Sequence, residues 1–254
     1  MTAISNPHIL VINPNTTASM TQTIARAARE AAAPSSSILA VTSAMGPASI
    51  EGYYDEVLAI PGVLTAIREG ERDGAAAAVI ACFDDTGLDA ARALAAIPVI
   101  GICEAALSLA SFIARRITVV TMSPLSIVPV EELVHRYGMS SRVRVRAAGV
   151  PVLELENPAS NAVDRLRSEI SKALGEDHAE AIVLGCAGMA DLAASLQREF
   201  KVPVIDGVGA AVKQAEALLA LGLSTGKRGA YSTPARKPFT GLLAGFSLNP
   251  EQAR

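Results

Sequence analysis

Two short stretches carry a cysteine at the same place in a repeated pattern. In VIACFDDTGL (79–88) an apolar run reaches Cys82 and then turns acidic; further along, IVLGCAGMADL (182–192) delivers Cys186 to a turn in the same way. A free thiol with a pKa of about 8.5 is only a few per cent ionised at neutral pH, and a nearby helix N-terminus favours its thiolate. Both cysteines precede turns that lead into helical stretches, so thiolate formation is expected to be favoured at each. The turns CFDDTG and CAGM also carry backbone N–H groups able to hold a developing oxyanion. Two similar bases facing one cleft suit the inversion of a carbon acid. A proton leaves one face and another arrives on the opposite face, with a thiolate and a thiol exchanging roles by direction.

Competing chemistries find little support. A lone cysteine at a strand end is more often a small core residue, and Cys103 is read that way because its counterpart across the repeat is Val208. His8, His135 and His178 are scattered and stand at no metal-ligand spacing. No CxxC occurs. GVGAAV (207–212) lacks the third glycine of a dinucleotide-binding turn, and GLSTGKRG (222–229) has the wrong glycine spacing for a P-loop. The five lysines, Lys172, Lys201, Lys213, Lys227 and Lys237, mostly fall on solvated helix faces or in the tail.

The elements that must position the thiols follow from the hydrophobic pattern. The chain has 254 residues, half of them hydrophobic, which is enough for a large core. A net charge of -3 gives no basic face for nucleic acid. The N-terminal stretch lacks the basic and apolar regions of an export signal, and no long uncharged apolar run suits a membrane, so the protein is expected in the cytoplasm. With three cysteines a disulfide framework is not expected. Short β-branched runs alternate with Ala-rich amphipathic stretches, the pattern of an α/β fold with parallel sheet covered by helices. Strands are expected at 8–13, 37–43, 77–81, 97–102, 116–122, 143–150, 180–185 and 202–206, and helices at stretches such as 20–33 and 161–175.

An internal repeat organises these elements. Residues 77–106 align with 180–211, pairing Cys82 with Cys186, Leu88 with Leu192, Pro98 with Pro203 and Ile100 with Ile205. HILVINPNTT in the first half corresponds to RITVVTMSPL in the second. Two α/β lobes are therefore expected, 1–110 and 111–222, with the active site in the cleft between them. The tail 223–254, rich in Gly, Pro and Ser at its start, is expected to end in a short helix at GLLAGF and to pack back on the first lobe. In open parallel sheets ligands bind beyond the carboxyl ends of strands, where both cysteines are expected to lie.

Four segments in order resemble the hydantoin racemases of the Asp/Glu/hydantoin racemase superfamily. They are INPNTT after the first strand, ACFDDTGLDAAR around Cys82, LGCAGM around Cys186, and KRGAY followed by KPFTGL in the tail. The resemblance covers nearly the whole chain. It implies a cofactor-independent, metal-free two-base racemase acting on a small molecule, at C5 of a 5-monosubstituted hydantoin, and a homo-oligomer. Cys82 and Cys186 match its catalytic pair. Asn15 matches a substrate-binding position, with Thr121 as its rough counterpart in the second half. Phe83 and Asp84 after one cysteine, and Ala187 and Gly188 after the other, would offer backbone donors to the ring carbonyls. Gly185 beside Cys186, and Ile50 in the loop MGPASIEGYY (45–54), complete the substrate-binding candidates.

Plainer readings stand beside these. Asn13 and Asn15 would be turn residues capping a helix near Thr17, Asp84 and Asp85 would cap their own helix, and Ile50 would merely pack. Allantoin, a hydantoin with a ureido group, is an alternative substrate. A non-catalytic two-lobed small-molecule binding protein is the alternative from another class.

Overall fold

The structure, a computed structural model, describes residues 8–157 and 159–248. The first half runs β1 (His8–Asn13), α1 (Ala18–Ala31), β2 (Ser37–Thr42), α2 (Tyr53–Arg72), β3 (Ala75–Ile80), α3 (Leu88–Leu94), β4 (Val99–Gly101) and α4 (Ile102–Ile113). The second half repeats it with β5 (Ile117–Thr121), α5 (Ile127–Arg136), β6 (Val143–Ala147), α6 (Ala162–Glu176), β7 (Ala181–Leu184), α7 (Ala193–Phe200), β8 (Val204–Asp206) and α8 (Gly207–Ala220). Each half forms one parallel four-stranded sheet, in the orders β2-β1-β3-β4 and β6-β5-β7-β8. The fold class is α/β. In the inner strands nearly every side chain is buried, because helices cover both faces, which is why HILVIN and AIVL read as continuous apolar runs. Full burial of each Val or Ile there contributes about 1.5–3 kcal/mol. In register, Ile12 lies between Val41 and Ile80, and Val120 between Arg146 and Leu184.

Departures from the expected elements have local causes. β4 and β8 are shorter than 97–102 and 202–206, because Pro98 and Pro203 have no N–H to give a ladder and a helix begins directly after each strand. The Asp206 carboxylate starts α8 by accepting from the Val208 and Gly209 amides at 2.9 and 2.6 Å. The 20-residue α2 has no clear helical signal in sequence, since Pro61 interrupts it. GLLAGF forms a 3₁₀ turn, Gly241–Phe246.

The two sheets share their covering helices. α4, which follows the first sheet, packs on β7 and β8, and α8, which follows the second, packs on β3, β4 and α1. The two helices meet at their starts, where a Cβ on Gly207 would sit 2.8 Å from the Ile102 carbonyl oxygen. A single core cluster therefore runs through both halves, and a smaller one lies between the first sheet and α2 and α3. Among the described residues no helix is long and apolar enough to cross a membrane.

The tail fastens α3. The Lys227 ammonium donates to the carbonyls of Arg92, Ala93 and Ala95 at 3.0, 2.7 and 3.0 Å, satisfying oxygens that the helix end leaves open. The Tyr231 hydroxyl reaches Asp89 at 2.8 Å, with its ring beneath the Arg92 guanidinium. Lys227→Met should cost about 1–3 kcal/mol, a fall in melting temperature of several degrees by calorimetry. An unchanged melting temperature would show that the lysine contacts are incidental.

Candidate active site

In a sheet of order 2-1-3-4 the connections diverge between the first and third strands, and loops there leave a crevice. Cys82 lies two residues past the end of β3, and Cys186 two past the end of β7, so each stands at that crevice in its own sheet. Both cysteines are free and partly exposed. The turns that hold them share two hydrogen bonds. The Asp85 amide donates to the Cys82 carbonyl at 3.0 Å, and the Met189 amide donates to the Cys186 carbonyl at 3.1 Å. The Asp84 amide points to the Cys82 sulfur, and the Gly188 amide to the Cys186 sulfur. Asp84 and Gly188 thus spend their N–H groups on sulfur rather than on a ring carbonyl. The buried Phe83 and Ala187 amides have no protein acceptor among the described residues.

Burial, not the helix dipole, dominates the thiols. Desolvation pushes Cys186 up to about 11, with added repulsion from Asp84 and Glu51. It pushes Cys82 well above the usual thiol range, helped by the Asp84 charge and by a charge on Cys186 itself. The expectation of favoured thiolates is corrected accordingly: α3 starts only at Leu88, too far from Cys82 for its dipole to compensate. The mutual repulsion opposes double ionisation, so a state with one thiolate and one thiol is favoured over one with two thiolates. The Thr86 hydroxyl, buried without an aligned partner, lies against the Cys82 sulfur and favours its thiolate. The Asp84 carboxyl is buried, makes no hydrogen bond or ion pair among the described residues, and is pushed up to about 7 by burial and neighbouring acids.

Other candidates have mixed placements. The Asn15 side-chain oxygen accepts from the Thr17 amide at 2.9 Å, the turn role, while its amide nitrogen faces only the Met20 sulfur, a weak acceptor. Asn13 knits the loop, donating to Asn15, the Thr17 carbonyl and Thr21. Thr121 and Gly185 occupy one another: the threonine hydroxyl donates to the Gly185 carbonyl at 3.2 Å, and a Cβ on the glycine would lie 3.0 Å from the Thr121 Cα. Phe83 packs in the core, and Ile50 is buried in its loop. Asp85 does not cap α3; its carboxylate caps α4 instead.

Ser123 and Glu51 are not singled out by the sequence, whereas Tyr53 belongs to the loop read there as shaping the pocket. The pairing of HILVINPNTT with RITVVTMSPL sets Thr121 opposite Asn13 and Ser123 opposite Asn15. In the structure Ser123 accepts from the Leu125 amide just as Asn15 accepts from Thr17. Applying that register strictly would have found Ser123. Glu51 joins the loop after β2 to the segment after β6 by accepting from the Val152 amide at 3.3 Å. Tyr53 joins α2 to α5 through Glu132 at 2.8 Å. One cavity reaches each cysteine turn, although neither cavity has a cysteine in its lining. One of about 310 Å³ is lined by Tyr53, Glu56, Asp84, Glu132 and Arg136 among others. Another of about 340 Å³ is lined by Met20, Leu155 and Gly188 among others. Among the described residues no group of three or more His, Cys, Asp or Glu side chains is arranged to hold a metal ion.

Residues 9–215 match the family described as Asp/Glu/Hydantoin racemase. A hydantoin racemase of Pseudomonas sp. (strain NS671) is 49% identical over 242 residues, 95% of this chain and 97% of that protein. One of Rhizobium meliloti is 50% identical over 235 residues, 92% and 98% of the two chains. Among solved structures, allantoin racemase from Klebsiella pneumoniae superposes with a TM-score of 0.92 at 47% identity, covering 95% of this chain and 99% of that one.

Proposed function

We propose, from the premise that this chain belongs to the Asp/Glu/hydantoin racemase family and is an isomerase of the racemase kind, that it inverts C5 of 5-monosubstituted hydantoins without a cofactor, using Cys82 and Cys186 as paired bases. Family membership already answers the reading as a non-catalytic binding protein. The observation that carries the thiol mechanism is the duplicated turn. Each sulfur is met by the N–H two residues on, and each turn leaves the N–H one residue on without an acceptor among the described residues.

The C5–H bond lies beside a ring carbonyl, so a thiolate on one face takes the proton while charge passes to the carbonyl oxygen. The Phe83 or Ala187 amide then stabilises that oxyanion. The thiol on the other face delivers its proton to C5, leaving the opposite enantiomer and the thiolate moved from one cysteine to the other. Atoms balance without a net proton from solvent. Exclusion of water by the bound substrate would strengthen these short electrostatic contacts around the partly exposed cysteines.

Allantoin is the second reading, favoured by the likeness to the Klebsiella pneumoniae structure and by Asp84, whose carboxyl is buried without a partner and would accept N–H groups of a ureido substituent. Loss of optical rotation with single enantiomers tests both. The expected result is decay of 5-alkyl- or 5-arylalkyl-hydantoins, of allantoin, or of both, to zero rotation without added metal or pyridoxal phosphate. Stable rotation across that panel would refute the substrate class.

A further inference from the structure

The Cys82 turn is held by polar contacts that its twin lacks. Asp85 adopts a left-handed backbone conformation with φ of +47°, which a non-glycine residue keeps only where its surroundings impose it. Its buried carboxylate accepts from the Cys103 and Glu104 amides at the start of α4 at 2.9 and 3.0 Å, and from the Tyr137 hydroxyl at the end of α5 at 2.6 Å. Only glycine at 101 leaves room for it, since a Cβ there would stand 2.3 Å from the carboxylate. The Asp85 amide in turn closes the Cys82 turn. Tyr137 belongs to the second half of the chain, so the sulfur of the first half is set by a hydroxyl from the second. In the other turn the place of Asp85 is taken by Met189, fully buried and apolar, so the Cys186 turn has no side-chain carboxylate at this position tying it to the other half.

We propose that Asp85 is a positioning residue for Cys82 only, held by Tyr137 and the α4 N-terminus, so that the two proton transfers of the racemisation depend on different kinds of support. This rests on the two-thiol reading above. Removing the Tyr137 hydroxyl leaves a buried carboxylate short of a donor and lets the turn relax; a displacement of about 1 Å at a reacting group costs up to about a hundredfold in rate. The Cys186 transfer has no such polar support to lose.

The intact enzyme conceals the asymmetry. Its two products are mirror images of equal free energy, so kcat/KM must remain equal in both directions whatever is changed. The half-reactions are separated by serine variants: Cys186→Ser leaves Cys82 to exchange the C5 proton of one enantiomer with D2O, and Cys82→Ser leaves Cys186 to exchange that of the other. Tyr137→Phe is added to each background, and exchange is followed by proton NMR on single-enantiomer hydantoins, with melting temperatures recorded. The expected result is a fall of about tenfold or more in exchange by Cys82 and less than about twofold in exchange by Cys186. Asp85→Asn, which keeps the shape of the side chain, should give the same one-sided pattern. An equal fall in both backgrounds, tracking stability, or no fall in either, would overturn the proposal. Full racemisation by either single serine variant would remove the two-thiol reading itself, and this inference with it.

Discussion

Cys82→Ser and Cys186→Ser should each abolish racemisation, with the rate reduced by at least about 10³-fold, while each variant still exchanges the C5 proton of one enantiomer with solvent deuterium. Serine preserves the position and size of the group but not its acidity, so it neither accepts the C5 proton nor supplies one in a useful time. Loss of one positioned acid or base removes about 10²–10⁴-fold, and inversion needs both. The remaining cysteine can take a proton and return a deuteron from the same face, which gives exchange with retention. Substrate enantiomers followed by polarimetry and by NMR in D2O separate the two events. Full activity in either variant would eliminate the paired-base mechanism. Loss of exchange from both enantiomers in one variant would point to collapse of the site instead. The replacement is near-isosteric at a partly exposed residue, so folding should survive.

The second large effect is on pH dependence. Burial raises both thiols, Cys186 to about 11 and Cys82 well above the usual range. The competent form needs one thiolate, and a pKa of about 11 leaves roughly one thiol in ten thousand ionised at pH 7. Below the pKa each added pH unit multiplies that fraction tenfold, so kcat/KM should climb by about tenfold per unit through the alkaline range. Asp84 moderates the climb. Its carboxyl, pushed up to about 7, is neutral below that pH and negative above it, and its charge then disfavours both thiolates. Asp84→Asn should therefore shift the rising limb toward lower pH. A profile already level at pH 8 would mean that another group accepts the proton. Loss of the second proton, opposed by repulsion between the sulfurs, sets the upper boundary.

Much of this arrangement is legible in the residues. The runs ending in Cys82 and Cys186 read as buried strands because a parallel sheet covered on both faces needs no polar alternation, and their spacing relative to Pro98 and Pro203 already encodes the duplication. What sequence could not supply comes from contacts between distant segments. The Asp85 carboxylate finds its helix at residues 103 and 104 rather than at its own α3, since capping depends on where the fold brings an N-terminus. The thiol electrostatics depart from the expectation because a turn leading toward a helix says nothing of how dry the sulfur becomes. Thr121 was offered as a partner for Asn15 by proximity in the motif, whereas the matching turn chemistry belongs to Ser123. The α4 and α8 exchange leaves no local trace, because an amphipathic helix fits either sheet.

That exchange ties the two halves of the chain together. Each sheet wears a helix encoded beside the other, so the protein is interleaved, not hinged. Spreading the halves would strip α4 from β7 and β8 and α8 from β3 and β4 at once, exposing apolar surface on four strands. The loop 45–52 and the segment 149–157 are joined by the hydrogen bond from Val152 to Glu51, and Leu155 of that segment lies against Gly188 beside Cys186.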